Sequence, residues 1–264
     1  MTQSVRRWCH GAMAASLLVF AGACGLQFAL GAEARDQWKK SYTLKEGGAF
    51  EIRNTNGRIE IRTGDGNTVD VVADRVVHAA TDEAAKDALR RLEIAETVSP
   101  DRVALDATGR GMGLQINISK HVDFVVHLPR WAAVKLVSTN GDIDVADVGG
   151  SFDVETTNGR IKGTGLMNST TVSSTNGAIT LDFAKLGEAG ISCETTNGAI
   201  QVTIPRDSKA RLSARVSNGT IQTSDLDLSA SEQSRRRLEA SIGGGGGPSI
   251  KLETTNGLIQ LKGK

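Results

Sequence analysis

Apolar and polar residues alternate around a phrase that returns seven times. Asn56-Gly57, Asn140-Gly141, Asn158-Gly159, Asn176-Gly177, Asn197-Gly198, Asn218-Gly219 and Asn256-Gly257 each follow a Thr or Ser, and successive Asn residues lie 84, 18, 18, 21, 21 and 38 positions apart. Three residues after each Asn stands an isoleucine: Ile59, Ile143, Ile161, Ile179, Ile200, Ile221 and Ile259. Mostly aliphatic residues recur two positions further on, and again four and six positions before the Asn, as in Phe50, Ile52 and Ile61 or Val134, Leu136 and Val145. A step of two predicts a strand, a turn at Asn-Gly and a second strand in every copy, each with one dry face.

Asn-Gly between alternating strands is also the signature of an antiparallel hairpin. A meander of hairpins, however, gives no reason for one residue type to hold one offset in every copy, whereas stacked parallel coils place equivalent positions one strand spacing apart. The fold class expected is therefore all-β, a parallel β-solenoid of short coils over 134–264, with isoleucine stacked on isoleucine inside and Asn on Asn at the corner. Seven coils at about 4.8 Å each would rise roughly 30 Å. All seven isoleucines should be buried. Ile179 should lie between Ile161 and Ile200, and Ile259, in the last coil, should have a neighbour on one side only.

The preceding stretch, 35–133, reads as an N-terminal β portion holding the first coil over 41–62. From Thr81 to Leu92, Ala84, Ala85, Ala88, Leu89 and Leu92 recur at helical spacing, with Asp82 and Glu83 in the first turn and Arg90 and Arg91 in the last. That pattern predicts one short amphipathic helix covering an end or side of the β structure. A hairpin excursion is expected around Ser99-Pro100-Asp101, and a strand through Val122, Phe124, Val126 and Leu128. Gly109 to Gly113 alternates glycines but lacks the βαβ context of a phosphate-cradling loop. Between about 225 and 248 the period fails, and Ser229 to Arg237 followed by five glycines reads as a protruding loop with a flexible tail.

Residues 1–34 change the picture by adding export. Arg6 and Arg7 precede an uncharged, Ala- and Leu-rich run from Gly11 to Ala32, and charge resumes at Glu33. Three outcomes are compatible with this segment: lipidation of Cys24 within Phe20-Ala21-Gly22-Ala23-Cys24, cleavage after Ala32 or Ala34, or retention as a membrane anchor. Lipidation would leave residues 25–45 as a tether.

Aromatic residues make up 4% of the chain, which suits a core of short aliphatics repeated many times. The 31 basic and 30 acidic residues leave a net charge of +1, so nucleic acid is not expected as a partner. Cys9, Cys24 and Cys193 form no disulfide framework, and Cys193 falls at an inward offset equivalent to Val154 and Val172. His10, His78, His121 and His127 are scattered. No catalytic, cofactor-binding or metal-binding constellation is picked out. Asp142-Ile143-Asp144 and Asp225-Leu226-Asp227 put carboxylates on one strand face, but the other coils do not repeat them.

Val122 to Pro129, Val137-Ser138-Thr139-Asn140-Gly141-Asp142-Ile143, the returning Thr-Asn-Gly phrases and the Gly-rich stretch before Ile250 to Gly257 resemble a bacterial family known as the putative-adhesin domain of unknown function. The likeness covers roughly residues 45–264. It implies an exported β-solenoid of the cell envelope and supplies no catalytic residues. Two functions follow as expectations: a non-enzymatic adhesin-like or scaffolding surface whose partner is an envelope protein or glycan, and alternatively a carbohydrate-active or glycan-binding β-helix. Clustered carboxylates and arginines in one groove would favour the second; dispersed Thr, Ser and Lys would favour the first.

Overall fold

The computed structural model describes residues 31–109 and 117–264. Readings that fall on residues 1–30, including Cys24, and on Arg110 to Gly113 lie outside the described residues. The strands are β1 (Ala32–Thr43), β2 (Ala49–Asn56), β3 (Ile59–Gly64) and β4 (Thr68–Ala79), then helix α1 (Asp82–Arg91), then β5 (Ala95–Ser99), β6 (Arg102–Asp106) and β7 (Ser119–Pro129). The repeats follow as β8 (Ala133–Asn140), β9 (Ile143–Ala146), β10 (Phe152–Asn158), β11 (Ile161–Leu166), β12 (Thr170–Asn176), β13 (Ile179–Phe183), β14 (Ile191–Asn197) and β15 (Ile200–Ile204). Last come β16 (Ala210–Ser224), β17 (Leu228–Gln233), β18 (Arg237–Ile242) and β19 (Ser249–Gly263).

The Asn-Gly pairs are solenoid corners. The strands on either side of a corner pair with the equivalent strands of neighbouring coils, in parallel, so that Ile161 lies against Ile143 and Ile179, and Val154 against Leu136 and Val172. First strands build one ladder and second strands the other, and their inward residues form a single buried cluster. Six of the seven offset isoleucines are 0% exposed. Each such side chain contributes about 1.5–3 kcal/mol by leaving water.

The corner chemistry follows from the spacing of the layers. The N–H groups of Gly57, Gly141, Gly159, Gly177 and Gly198 donate to the Asn carbonyl of the adjacent coil, as from Gly141 to Asn158 at 2.9 Å. A Cβ on Gly141 would lie 2.0 Å from the Gly57 carbonyl, and Gly141 has φ of +150°. Gly177 is not left-handed, yet its Cβ would come within 1.9 Å of the Gly159 carbonyl. Close backbone approach is therefore the demand common to both corners. The Asn side chains continue the ladder: Asn140 donates to Asn56, Asn158 to Asn140, Asn176 to Asn158 and Asn197 to Asn176, at 2.8–2.9 Å.

Stack order departs from chain order. β19 pairs with β14 and β15 on one side and with β16 on the other, so the last coil in sequence fills a slot inside the stack. Ile259 has two isoleucine neighbours, Ile200 and Ile221, correcting the expectation of one. Ile221 in the outermost coil is only half-buried, correcting the expectation that all seven would be covered. A further layer without Asn-Gly precedes the first coil: β6 pairs with β2 and β7 with β3, both in parallel.

Antiparallel strands close both ends. β4 lies on β7 and β1 on β4, while β5 lies on β6; α1 packs across β1 and β4 with Ala85, Ala88 and Leu89 buried. The helix starts as its sequence directs, with the Thr81 hydroxyl accepting from the Ala84 N–H. At the other end β18 lies on β16 and β17 on β18. The segment 225–248 is thus largely an ordered hairpin and not a protruding loop, because Leu238, Ala240 and Ile242 alternate and bury. Ala32, Glu33 and Ala34 already pair with Ala79, His78 and Val77, so a tether running to residue 45 is excluded by strand β1.

Candidate contact surface

One corner of the stack carries a repeated, exposed chemistry. The residues before six of the seven Asn point outward, Thr139, Thr157, Thr175, Thr196, Thr255 and Ser217 being exposed, while Thr55 in the first coil is half-buried. The side chains two positions before the Asn point inward instead. Thr195 and Thr254 there donate to the Gly177 and Gly198 carbonyls, at 3.3 and 3.1 Å, while the buried hydroxyls of Ser138 and Ser174 have no partner among the described residues. The result is a hydroxyl and amide ridge repeating once per layer, about every 4.8 Å. Its spacing is held by the ladder beneath it.

Toward the end of the stack this ridge runs into a cleft of about 380 Å³. Thr255 and Ser217 belong to the ridge and also line the cleft, together with Glu194, Glu253, Arg215 and Arg236. The hairpin makes this possible, since the Arg236 carbonyl accepts from the Val216 N–H at 2.9 Å and the Arg235 carbonyl from the Ile221 N–H at 3.2 Å. Both bonds lock the arginine turn onto the outermost corner. Arg237 lies 3.1 Å from Glu232, Arg215 3.6 Å from Glu239, and Lys251 3.0 Å from Glu253. Arg236 forms no ion pair among the described residues. The cleft thus mixes both signs of charge, with one cation uncommitted.

The remaining candidate residues are dispersed. Asp142 pairs with Arg160 at 3.1 Å and Asp144 with Arg58 at 2.7 Å, a charged patch near the other end of the second ladder. Asp225 faces Arg206 at 3.7 Å. His121 touches Asp123 at 2.8 Å, and His78 and His127 are exposed elsewhere. No group of three or more His, Cys, Asp or Glu among the described residues could hold a metal ion. Cys193 is 1% exposed between Val172 and Leu252, and burial pushes its thiol up to about 12. It is an inert core residue. What the sequence reading missed is that Arg236, Glu194 and Glu253 line one cleft. The alternation of Leu238, Ala240 and Ile242 was the signal that could have revealed it.

The family model named Toastrack DUF4097 matches residues 130–262, half of the chain. The chain belongs to the Toastrack family. The match begins at Arg130, so β1 to β7 lie before it, whereas the resemblance read from the sequence began near residue 45. No curated protein matches the sequence. Among solved structures, a "putative cell adhesion protein" from Clostridium sporogenes is similar at 12% identity and a TM-score of 0.46, covering 88% of this chain and 100% of its own. A "putative adhesin" from Bacteroides fragilis shares 13% identity with a TM-score of 0.42, over 87% of this chain and 97% of its own. A "putative lipid binding protein" from Parabacteroides distasonis shares 10% identity with a TM-score of 0.31, over 88% and 98%.

Proposed function

We propose that this Toastrack protein is exported and acts in the cell envelope as a non-enzymatic, adhesin-like contact surface that holds a partner without turning it over. The observation that carries the reading is the continuity of the exposed Thr and Asn ridge with the arginine-bearing cleft. Such a ridge offers a linear partner the same donor and acceptor set in every layer, and its rigidity limits the entropy lost on binding. The uncharged run after Arg6 and Arg7 supports export; no helix among the described residues is long and apolar enough to cross a membrane. An envelope protein or glycan fits this surface as partner.

Binding of the purified protein to isolated envelope vesicles tests the proposal. Arg236→Ala combined with Thr196→Ala is expected to weaken retention at least tenfold with an unchanged circular dichroism spectrum. Unchanged retention would defeat it. The second reading, a carbohydrate-active solenoid, is favoured by one feature: Glu194 and Glu253 are register partners one strand spacing apart, next to Arg215. That spacing is close to the separation of about 5–5.5 Å at which paired carboxylates cleave glycosides with retention. The Lys251 ammonium lies 3.0 Å from Glu253, so this carboxylate is already engaged in an ion pair within its own strand. An assay for new reducing ends on acidic polysaccharides separates the two readings, and none is expected.

A further inference from the structure

The corner opposite Asn-Gly, where one coil returns to the next, holds a second feature unrelated to the ridge. At the N-terminal end of the stack four turns line an open hollow of about 750 Å³ with Trp131, Pro100 and Leu44 among its walls. Gly66 and the polar residues Thr43, Lys45, Glu46 and Asn67 complete the lining. These four polar side chains are exposed, and none makes a hydrogen bond or ion pair among the described residues.

The walls are stitched together by backbone bonds across the turns. Leu44 N–H donates to the Asn67 carbonyl at 2.8 Å, Lys45 N–H to the Pro100 carbonyl at 2.7 Å, and Arg130 N–H to the Gly64 carbonyl at 3.0 Å. The hollow is therefore preformed, and a ligand entering it need not order the loops. A Cβ built at Gly66 meets nothing within 4 Å, so the rim beside Asn67 is open.

We propose that this hollow binds an uncharged sugar ring of a glycan. A half-buried tryptophan offers an apolar surface for the C–H face of a pyranose, the one ligand class that also carries a belt of hydroxyls able both to donate and to accept. The rim matches that belt: Lys45 donates, Glu46 accepts, and Asn67 and Thr43 do both. The lysine and glutamate charges cancel, which removes the preference for an anionic or a cationic ligand. An acyl chain would strip water from all four polar groups without repaying them. The site shares no residue with the ridge or the cleft, so its failure and theirs are independent.

The test is titration calorimetry of the full-length protein with maltohexaose, cellohexaose and chitohexaose, with tryptophan fluorescence recorded in parallel. Saturable binding of at least one of these is expected, with a shift in emission. Asn67→Ala and Thr43→Ala change exposed side chains and leave the backbone stitches in place; each should weaken binding at least tenfold. Trp131→Ala should abolish binding and the emission shift together, and Arg236→Ala in the cleft should alter neither. Should Trp131→Ala not fold, the two rim variants decide. Absence of binding to all three oligosaccharides, binding that survives the rim substitutions, or saturable uptake of decanoate that competes with the sugars would each overturn the proposal.

Discussion

Two coils carry nearly the same phrase in strands of equal length, yet differ in what their isoleucines meet. β16 and β19 each run 15 residues through an Asn-Gly corner. Ile259, near the C-terminus, is 0% exposed between Ile200 and Ile221. Ile221, earlier in the chain, has Ile259 on one side and is half-buried. Burial is set by place in the stack, and the insertion 225–248 uncouples that place from place in the sequence. After β15 the chain skips a layer, lays down the outermost coil, caps it with β17 and β18, and returns to fill the gap. A slot filled from both sides makes β19 the piece on which the outer coil depends.

The largest effect should therefore come from deleting residues 249–264. Ile250, Leu252, Ile259 and Leu261 are each at most 1% exposed, and their loss removes about 6–12 kcal/mol of transfer free energy. Hydrogen exchange should show amides of 210–243 losing protection while those of 134–183 keep theirs; uniform protection would mean that β16 can dock without β19. Next in size, Ile259→Ala and Ile179→Ala should each cost about 2–5 kcal/mol, since both empty a site enclosed on two sides. Ile221→Ala should cost about 1 kcal/mol, half the transfer term with no closed cavity. Denaturant titration of the three variants ranks them. A cost for Ile259 nearer that of Ile221 would show that chain order governs after all.

Much of this fold could be read from the sequence because stacked parallel coils repeat their environment, and a repeated environment selects the same residue. The offsets of Ile143, Ile161, Ile179 and Ile200 gave parallel register directly, as the Asp82 and Arg90 charges gave the helix. The order of layers could not be read. Every coil offers the same inward pattern, so nothing in Ile259 distinguishes an end from a middle, and the only clue lay in the alternation of Leu238, Ala240 and Ile242. β1 was obscured for a different reason. Its run Arg35-Asp36-Gln37-Trp38-Lys39-Lys40 is polar on both faces: Asp36, on the face that also carries Ala34 and Trp38, stays exposed and pairs with Arg75. Neither the cleft nor the hollow was visible, since each gathers residues from separate turns whose meeting depends on layer order or on the return corners.

The smallest effect, and the sharpest probe of the comparison, lies in the Asn ladder. The Asn256 side chain donates to Asn197 at 2.8 Å and accepts from Asn218 at 2.9 Å, whereas the Asn218 side chain has, among the described residues, only the bond to Asn256. Each bond between amides contributes about 0.5–1.5 kcal/mol net, and exposure at this corner places these toward the lower end. Asn256→Ala should thus cost about 1 kcal/mol and Asn218→Ala about half as much. Neither change touches the core, so the difference isolates the ladder from the isoleucine stack. In the double variant Asn218 no longer has a bond to lose, and its cost should equal that of Asn256→Ala alone. A strictly additive double variant would mean that the two side chains act independently, and that the corner is held by the Gly-to-Asn backbone bonds without help from the amides.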